Sequence, residues 1–414
     1  MPAPLAPLVD RWRTTRFPTP PGRWVVPSGA RAFALAGLAA ARAGDSGAGT
    51  EGRAAGPVLA VVPGEREAEE LYDDLSLFTD DALLLPAWET LPFEHISPNA
   101  ATMAARARAR HLLGEGKPGT VAVASVRAVT QRLSPSAPDP VVLGPGDELA
   151  PDRLAGALAG LGYHRVERVE SRGEFAVRGG IVDVFPAQAH EPVRLDYWGD
   201  LVEEARAFSV VTQRSLDPAG RLVAYPAREL RPDPTVRARA GELLVRERWA
   251  AATWDRLAEG MMFQGMESWL PWLAEERTVI EELPSNGVVV LVEPIRAGDR
   301  SRELVKEEAE LAAALATTWG HGAPEAGDHP ALYLDLDRAL GSLDILELPA
   351  LAAGPGDDAL DVRGLDATPG DSQSVAGGLT RWLAAGVELV VAMDGEPAAD
   401  RVARVLAEEG LALP

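Results

Sequence analysis

The chain has 414 residues, of which 46% are hydrophobic and 25% charged, a composition typical of a folded protein with three or four domains. It contains no cysteine, which excludes disulfides, zinc fingers, iron–sulfur clusters and cysteine nucleophiles. The net charge of −22 is concentrated towards the end, because residues 301–414 contain 7 basic and 21 acidic side chains. DNA binding depends on neutralising phosphates, so we expect nucleic acid to avoid these residues.

The first residues lack the apolar stretch of a signal peptide. No segment reaches the ~20 uninterrupted apolar residues that a membrane span needs. We therefore expect a cytoplasmic protein without membrane contacts.

Residues 25–133 alternate between strand and helix signals. Short apolar runs predict strands at 24–26, 58–62, 83–85 and 120–126. Helices are predicted over 32–43, 65–78 and 126–133. This alternation predicts a mostly parallel sheet covered by helices.

A Ser/Pro-rich break at 134–140 precedes a smaller unit. Its predicted elements are a helix over 151–161 and strands near 165–171, 174–178, 180–185 and 193–198. From about residue 216 the pattern is more helical, with helices over 236–259 and 300–316 and a strand over 287–292. A last α/β unit follows residue 342, with a strand over 387–392 and a helix over 397–409.

The first strand-to-helix turn occupies the place of the phosphate loop in nucleotide-hydrolysing α/β domains. That loop needs several glycines, a lysine for the terminal phosphates and Ser or Thr for magnesium. The turn here is Pro27-Ser28-Gly29-Ala30-Arg31-Ala32, which has one glycine and no lysine. The sequence therefore predicts no ATP hydrolysis. Its six histidines lack metal-ligand spacing and it has no Gly-x-Ser-x-Gly elbow, so it also predicts no catalytic residues, no metal and no cofactor.

Four segments resemble the bacterial transcription-repair coupling factor family, Mfd. Residues 85–98 (LPAWETLPFEHISP) are similar to its hallmark segment, and residues 174–186 (EFAVRGGIVDVFP) to a motif that Mfd shares with the excision-repair helicase UvrB. Residues 194–200 with 209–216, and residues 263–271, resemble further elements of the family. The resemblance covers residues 10–300 well and 300–414 weakly.

The resemblance implies a multidomain α/β fold. A degenerate P-loop, helicase-like parallel α/β domain would consist of 1–134 and 217–341, with a small α+β UvrA-binding domain inserted at 135–216. Residues 342–414 would form a further small α/β domain of unknown role. The family's RNA-polymerase-interacting, motor and autoinhibitory domains have no counterpart in 1–414, so we expect the N-terminal portion alone. Other parts of the full-length protein would then contact RNA polymerase and DNA.

The resemblance also implies that the small domain binds the damage-recognition ATPase UvrA, as UvrB does. Strand alternation makes one face of its sheet apolar and places polar and aromatic side chains on the other. An aromatic side chain among arginines is typical of an interface hot spot. The candidate UvrA-contacting residues are Arg165, Arg178, Phe185 and Arg194, with Glu174 and Asp183 as orienting partners.

Alternatives remain open for these residues. Phe185 would pack as core beneath the Pro186 turn, and the arginines would form salt bridges within the domain, with Asp183, Asp196 and Glu203 as partners. Arginine–carboxylate pairs on an exposed sheet face are common and contribute little.

Two further groups have competing interpretations. Trp88, Phe93, Trp269 and Trp272 would stack on nucleic acid or, as we favour, pack in the core between the first and third units. Arg106, Arg108 and Arg110 would touch DNA or, as we favour, form a solvated helix face.

The expected function is that of a non-catalytic portion of a coupling factor, which binds UvrA and recruits nucleotide excision repair to lesions that stall RNA polymerase. One alternative, a nucleotide-dependent UvrB-like helicase subunit, is disfavoured by the missing lysine. The other, a stand-alone DNA-binding protein, is disfavoured by the charge of −22.

Overall fold

The computed structural model describes residues 12, 15–44, 56–315, 328–352, 354, 357–362, 368, 370–387, 389, 391, 393 and 395–412. The strands in chain order are β1 (Gly22–Val25), β2 (Val58–Val62), β3 (Ala82–Leu85), β4 (Val121–Ser125), β5 (Val141–Leu143), β6 (His164–Arg165), β7 (Glu174–Arg178), β8 (Ile181–Val184), β9 (Val193–Trp198), β10 (Leu201–Phe208), β11 (Ser215–Pro218), β12 (Leu222–Ala224), β13 (Val288–Val292), β14 (Ile345–Leu348) and β15 (Asp358–Ala359). The α-helices are α1 (Arg31–Gly44), α2 (Glu65–Ser76), α3 (Ala100–Gly114), α4 (Val126–Thr130), α5 (Pro151–Gly160), α6 (Pro234–Arg246), α7 (Ala251–Ala258), α8 (Leu270–Leu273), α9 (Pro294–Leu315), α10 (Leu336–Leu340), α11 (Ser372–Ala384) and α12 (Glu396–Glu408).

A parallel sheet with the strand order β15-β1-β14-β13-β2-β4-β3 forms the larger α/β unit. Its central strands β2 and β13 are buried along their whole length, because valine and leucine runs fill both faces of a covered parallel sheet. Helices α1 and α2 pack on one face, and α4 and α9 pack on the other. The predicted parallel sheet covered by helices is confirmed.

This sheet extends past the domain boundary that the sequence predicts between 341 and 342. Strand β14 lies between β1 and β13, and β15 pairs with the other side of β1. The predicted boundary is too early because the pairing of β14 with β1 joins residues more than three hundred positions apart, which local patterns do not reveal. Residues beyond 341 therefore complete the larger α/β unit.

The smaller unit contains a second sheet with the order β11-β10-β9-β8-β7-β6. The predicted strands at 174–178 and 193–198 are confirmed, whereas the strand predicted near 165–171 is confined to His164–Arg165. Helix α5 packs against one face, where Leu154 and Leu158 are fully buried among apolar strand residues. The unit continues beyond the predicted end at 216, because β12 pairs with β5.

The third unit is helical and rich in aromatic residues. The helix predicted over 236–259 is divided into α6 and α7, because Glu247 leaves the helical conformation with φ −110° and ψ 64°. Trp88, Phe93, Trp269 and Trp272 are all buried in one core, and the rings of the last two are 5.6 Å apart. Core packing, the favoured interpretation of these four aromatics, is confirmed.

Two arginines of α3 do not form the solvated face that the sequence favours. Arg106 is fully buried and donates from its Nε to Oε2 of Glu229 at 2.9 Å, while Arg110 donates from Nε and Nη2 to Glu282 at 2.8 and 2.7 Å. Burial opposes the charge of Arg110, yet the hydrogen bonds and charge of Glu282 raise its pKa above the usual value. Only Arg108 of the three is exposed.

Near the end of the chain, α11 and α12 share a small apolar cluster that includes Leu379 and Leu406. The helix predicted over 397–409 is confirmed as α12, while positions 388, 390 and 392 of the strand predicted over 387–392 lie outside the described residues. Among the helices in the described ranges, none combines the length and the apolar character required to cross a membrane.

Candidate functional site

The polar face of the second sheet lies opposite the face covered by α5, and we call it the outer face. Strand register aligns Ala176 with Asp183 and Asp183 with Arg194, so these three side chains share this face. Arg178 follows two positions after Ala176 and lies on the same side. The alternating residues Phe175 and Val182 belong to the core on the other side, as the sequence pattern predicts.

Asp183 is the centre of an ion network on the outer face. Its side chain is fully buried, and its Oδ1 and Oδ2 accept from Nε and Nη2 of Arg194 at 2.7 and 2.9 Å. Oδ2 also accepts from Nη2 of Arg178. The two guanidinium partners hold the buried carboxylate in one geometry, because leaving a buried charge without its partner would lower the free energy of unfolding. The alternative of salt bridges within the domain therefore describes both arginines correctly.

The two arginines differ in what they offer to a partner. Arg194 has a side chain that is 12% exposed, and its guanidinium lies 4.9 Å from the ring centre of Phe208. Hydrogen bonds and charge from Asp183 raise the pKa of Arg194, although burial opposes this. The side chain of Arg178 is 46% exposed. Arg194 is therefore a buried partner that holds Asp183 in place, whereas the guanidinium of Arg178 is accessible to solvent.

Phe185 follows β8 and is half-buried. It packs beside a small apolar cluster of Val169, Ala176 and Phe208 on the outer-face side of the sheet. The guanidinium of Arg172 lies 5.9 Å from its ring centre. Phe185 thus combines partial core packing with an accessible surface, and its contact with a partner remains a prediction.

Glu174 and Arg165 are not brought into the Asp183 network. Oε2 of Glu174 accepts from the backbone N–H groups of Glu170 and Ser171, both at 2.8 Å. This carboxylate therefore stabilises the loop that precedes β7. Arg165 is exposed on the edge strand β6 and is paired in register with Phe175, whose side chain lies in the opposite core. The strand predicted to carry Arg165 onto the outer face ends at this residue.

The predicted site omits one exposed aromatic residue of the outer face. Trp198, at the end of β9, lies two positions after Asp196 on this face and is 76% exposed. The alternation of β9 already places Trp198 there. Its exposure depends on what covers the end of the sheet, which the sequence pattern does not reveal.

At the first strand-to-helix turn, the nearest cationic side chain, Arg31, is paired with a carboxylate of the protein itself. Residues Ser28–Ala30 form a 3-10 turn that leads into α1. Arg31, the first residue of α1, forms an ion pair with Glu293, which follows β13. The guanidinium nearest to the turn is thus engaged by a carboxylate of the chain itself.

Residues 141–230 match the family model of the UvrB interaction domain. This range contains the outer face and ends at Leu230, beside the buried Glu229. The matched range begins at the first residue of β5 and ends a few residues after β12, which are close to the bounds of the smaller unit. The matched domain and the smaller unit are therefore nearly the same part of the chain.

The chain is also similar to curated transcription-repair-coupling factors. It is 36% identical to that of Mycobacterium tuberculosis over 319 residues, which is 72% of this chain and 25% of the relative. It is 32% identical to that of Myxococcus xanthus over 344 residues, covering 75% of this chain and 28% of the relative. For Escherichia coli the identity is 30% over 253 residues, covering 58% and 22%.

The chain thus spans about a quarter of the length of these relatives. The four segments that resemble the family lie in the first 300 residues, and the matched UvrB interaction domain lies among them. The chain therefore belongs to the transcription-repair-coupling factor family and corresponds to the N-terminal region of its members.

Proposed function

We propose that this chain is a non-catalytic recruiting portion of a transcription-repair coupling factor, which binds UvrA through the outer face of its UvrB interaction domain. RNA polymerase and DNA would be engaged by other portions of the full-length protein. The observation that carries the proposal is the Asp183 network, which holds the exposed Arg178 in a fixed position on the matched domain. A positioned, partly desolvated arginine on a surface that also has a half-buried aromatic residue, here Phe185, is typical of an interface hot spot.

Arg178→Ala and Phe185→Ala are each expected to weaken the binding of purified UvrA by on the order of 2–4 kcal/mol, because each removes a candidate anchor. Isothermal titration calorimetry measures this loss, with thermal unfolding of each variant as a check on folding. Arg153→Ala, an exposed arginine on α5 in the same domain, is the matched control and should bind like the wild type. Equal binding by all variants would move the site elsewhere.

We also propose that this chain does not hydrolyse ATP. The turn before α1 has no lysine for phosphates, and Arg31 is paired with Glu293. Millimolar Mg-ATP is therefore expected to leave the melting temperature unchanged, because a ligand raises it only by binding the folded state. Differential scanning fluorimetry provides the measurement. A saturable rise in melting temperature with ATP would instead support a nucleotide-dependent UvrB-like subunit.

A further inference from the structure

We propose that Trp198 is an apolar anchor of the same docking surface and inserts into an apolar pocket of UvrA beside the site that receives Arg178. This inference rests on the proposed function, because it takes UvrA as the occupant of the outer face. It adds a contact residue that differs in chemistry from the charged network around Asp183.

The exposure of Trp198 sets it apart from the other aromatic residues. Its relative exposure is 76%, and every other Phe, Tyr or Trp in the described ranges is buried or half-buried. Burial of a tryptophan side chain at an interface contributes a large favourable free energy, because its apolar area is large. Tryptophan is enriched among the residues that dominate binding energy. An isolated tryptophan on a solvent-facing sheet surface is therefore better explained by a partner than by packing within the domain.

Strand register places Trp198 in continuity with Arg178. Arg178 pairs with Ile181, Ile181 pairs with Asp196, and Trp198 lies two positions further along β9 on the same face. The β7–β8 turn beside Trp198 consists of Gly179 and Gly180, and a Cβ at Gly179 would meet nothing within 4 Å. A Cβ at Gly180 would instead come within 3.1 Å of the carbonyl oxygen of Tyr197, so the open space lies on the Gly179 side of the turn.

The surroundings of Trp198 resemble the anatomy of an interface. Leu201 is paired with Trp198 across the hairpin and, like Ile181, is half-buried. Charged side chains border this apolar group, including the ion pair of Glu204 and Arg206, whose charged atoms are 2.6 Å apart. An apolar centre with a charged border is the usual arrangement at a specific protein interface.

The test compares Trp198→Ala and Trp198→Phe with the wild type in calorimetric titrations of the 414-residue chain with purified UvrA. Val211→Ala is the matched control, since Val211 is apolar, 79% exposed and in the same domain. Trp198→Ala is expected to weaken binding by about tenfold or more, Trp198→Phe by less, and Val211→Ala not at all. Unchanged thermal unfolding would show that the losses concern binding.

The outcomes separate this inference from the proposed function. If Trp198→Ala binds as tightly as the wild type while Arg178→Ala loses binding, the role of Trp198 is overturned and the docking surface stands. Equal losses for Trp198→Ala and Val211→Ala would also overturn it, because the effect would not be specific to the tryptophan. A folded wild-type chain that does not bind UvrA contradicts the proposed function itself.

Discussion

Asp183→Asn is expected to abolish measurable UvrA binding and to destabilise the second sheet by on the order of 3 kcal/mol, because it breaks a buried ion network. The carboxylate of Asp183 is fully buried and accepts hydrogen bonds from both Arg178 and Arg194. When Asp183 loses its charge, Arg194 remains largely buried beside Phe208 and has no equivalent partner in the network. Arg178 then loses the contact that fixes its guanidinium on the outer face.

Two measurements separate these effects. Calorimetry with UvrA reports binding, and hydrogen–deuterium exchange of β7, β8 and β9 reports the local stability of the sheet. Asp152→Asn, an exposed acidic residue in the first turn of α5, is the control and should change neither. An Asp183→Asn variant with normal binding and normal exchange would show that the network does not organise the docking surface.

Glu229→Gln is expected to lower the stability of the chain by about 3–5 kcal/mol, because removal of one partner leaves a buried charge uncompensated. Oε2 of Glu229 accepts from Nε1 of Trp88 at 2.7 Å and from Nε of Arg106 at 2.9 Å. The side chains of Arg106 and Glu229 are 0% and 2% exposed. This network connects the end of the UvrB interaction domain with α3 and the aromatic core.

Differential scanning calorimetry of Glu229→Gln measures the effect as a fall in the melting temperature. Glu70→Gln is the matched control, because Glu70 pairs with Arg66 on the exposed surface of α2, where side-chain exposures are 61% and 89%. Such an exposed pair contributes about 0–1 kcal/mol. Comparable melting temperatures for Glu229→Gln and the wild type would contradict a stabilising role for the network.

Local sequence patterns correctly predict the strands that are determined by a short apolar run or by alternation of apolar and polar residues. The apolar run at 58–62 and the alternation at 174–178 and 193–198 correspond to strands with those bounds. The alternation also places Asp183 and Arg194 on one face, where they meet. Long-range pairing is not predictable in this way, as the central position of β14 shows.

The errors in the predicted site have the same origin. Arg106 and Arg110 have the spacing of a solvated basic helix face, but Glu229 and Glu282 reach them from more than one hundred positions away. Glu174 is expected from the sequence to orient arginines, yet backbone N–H groups of its own loop bind it. Arg165 is expected on the outer face, but its short edge strand pairs it with a residue of the opposite face.

The most direct test of the docking surface is competition between this chain and UvrB for UvrA. The proposed function has the UvrB interaction domain at 141–230 bind UvrA in the way that UvrB does, so it predicts that the two proteins compete for one surface of UvrA. Fluorescence anisotropy of the labelled chain bound to UvrA, titrated with unlabelled UvrB, is expected to fall to the value of the free chain. A ternary complex, in which the chain stays bound at saturating UvrB, would contradict the account.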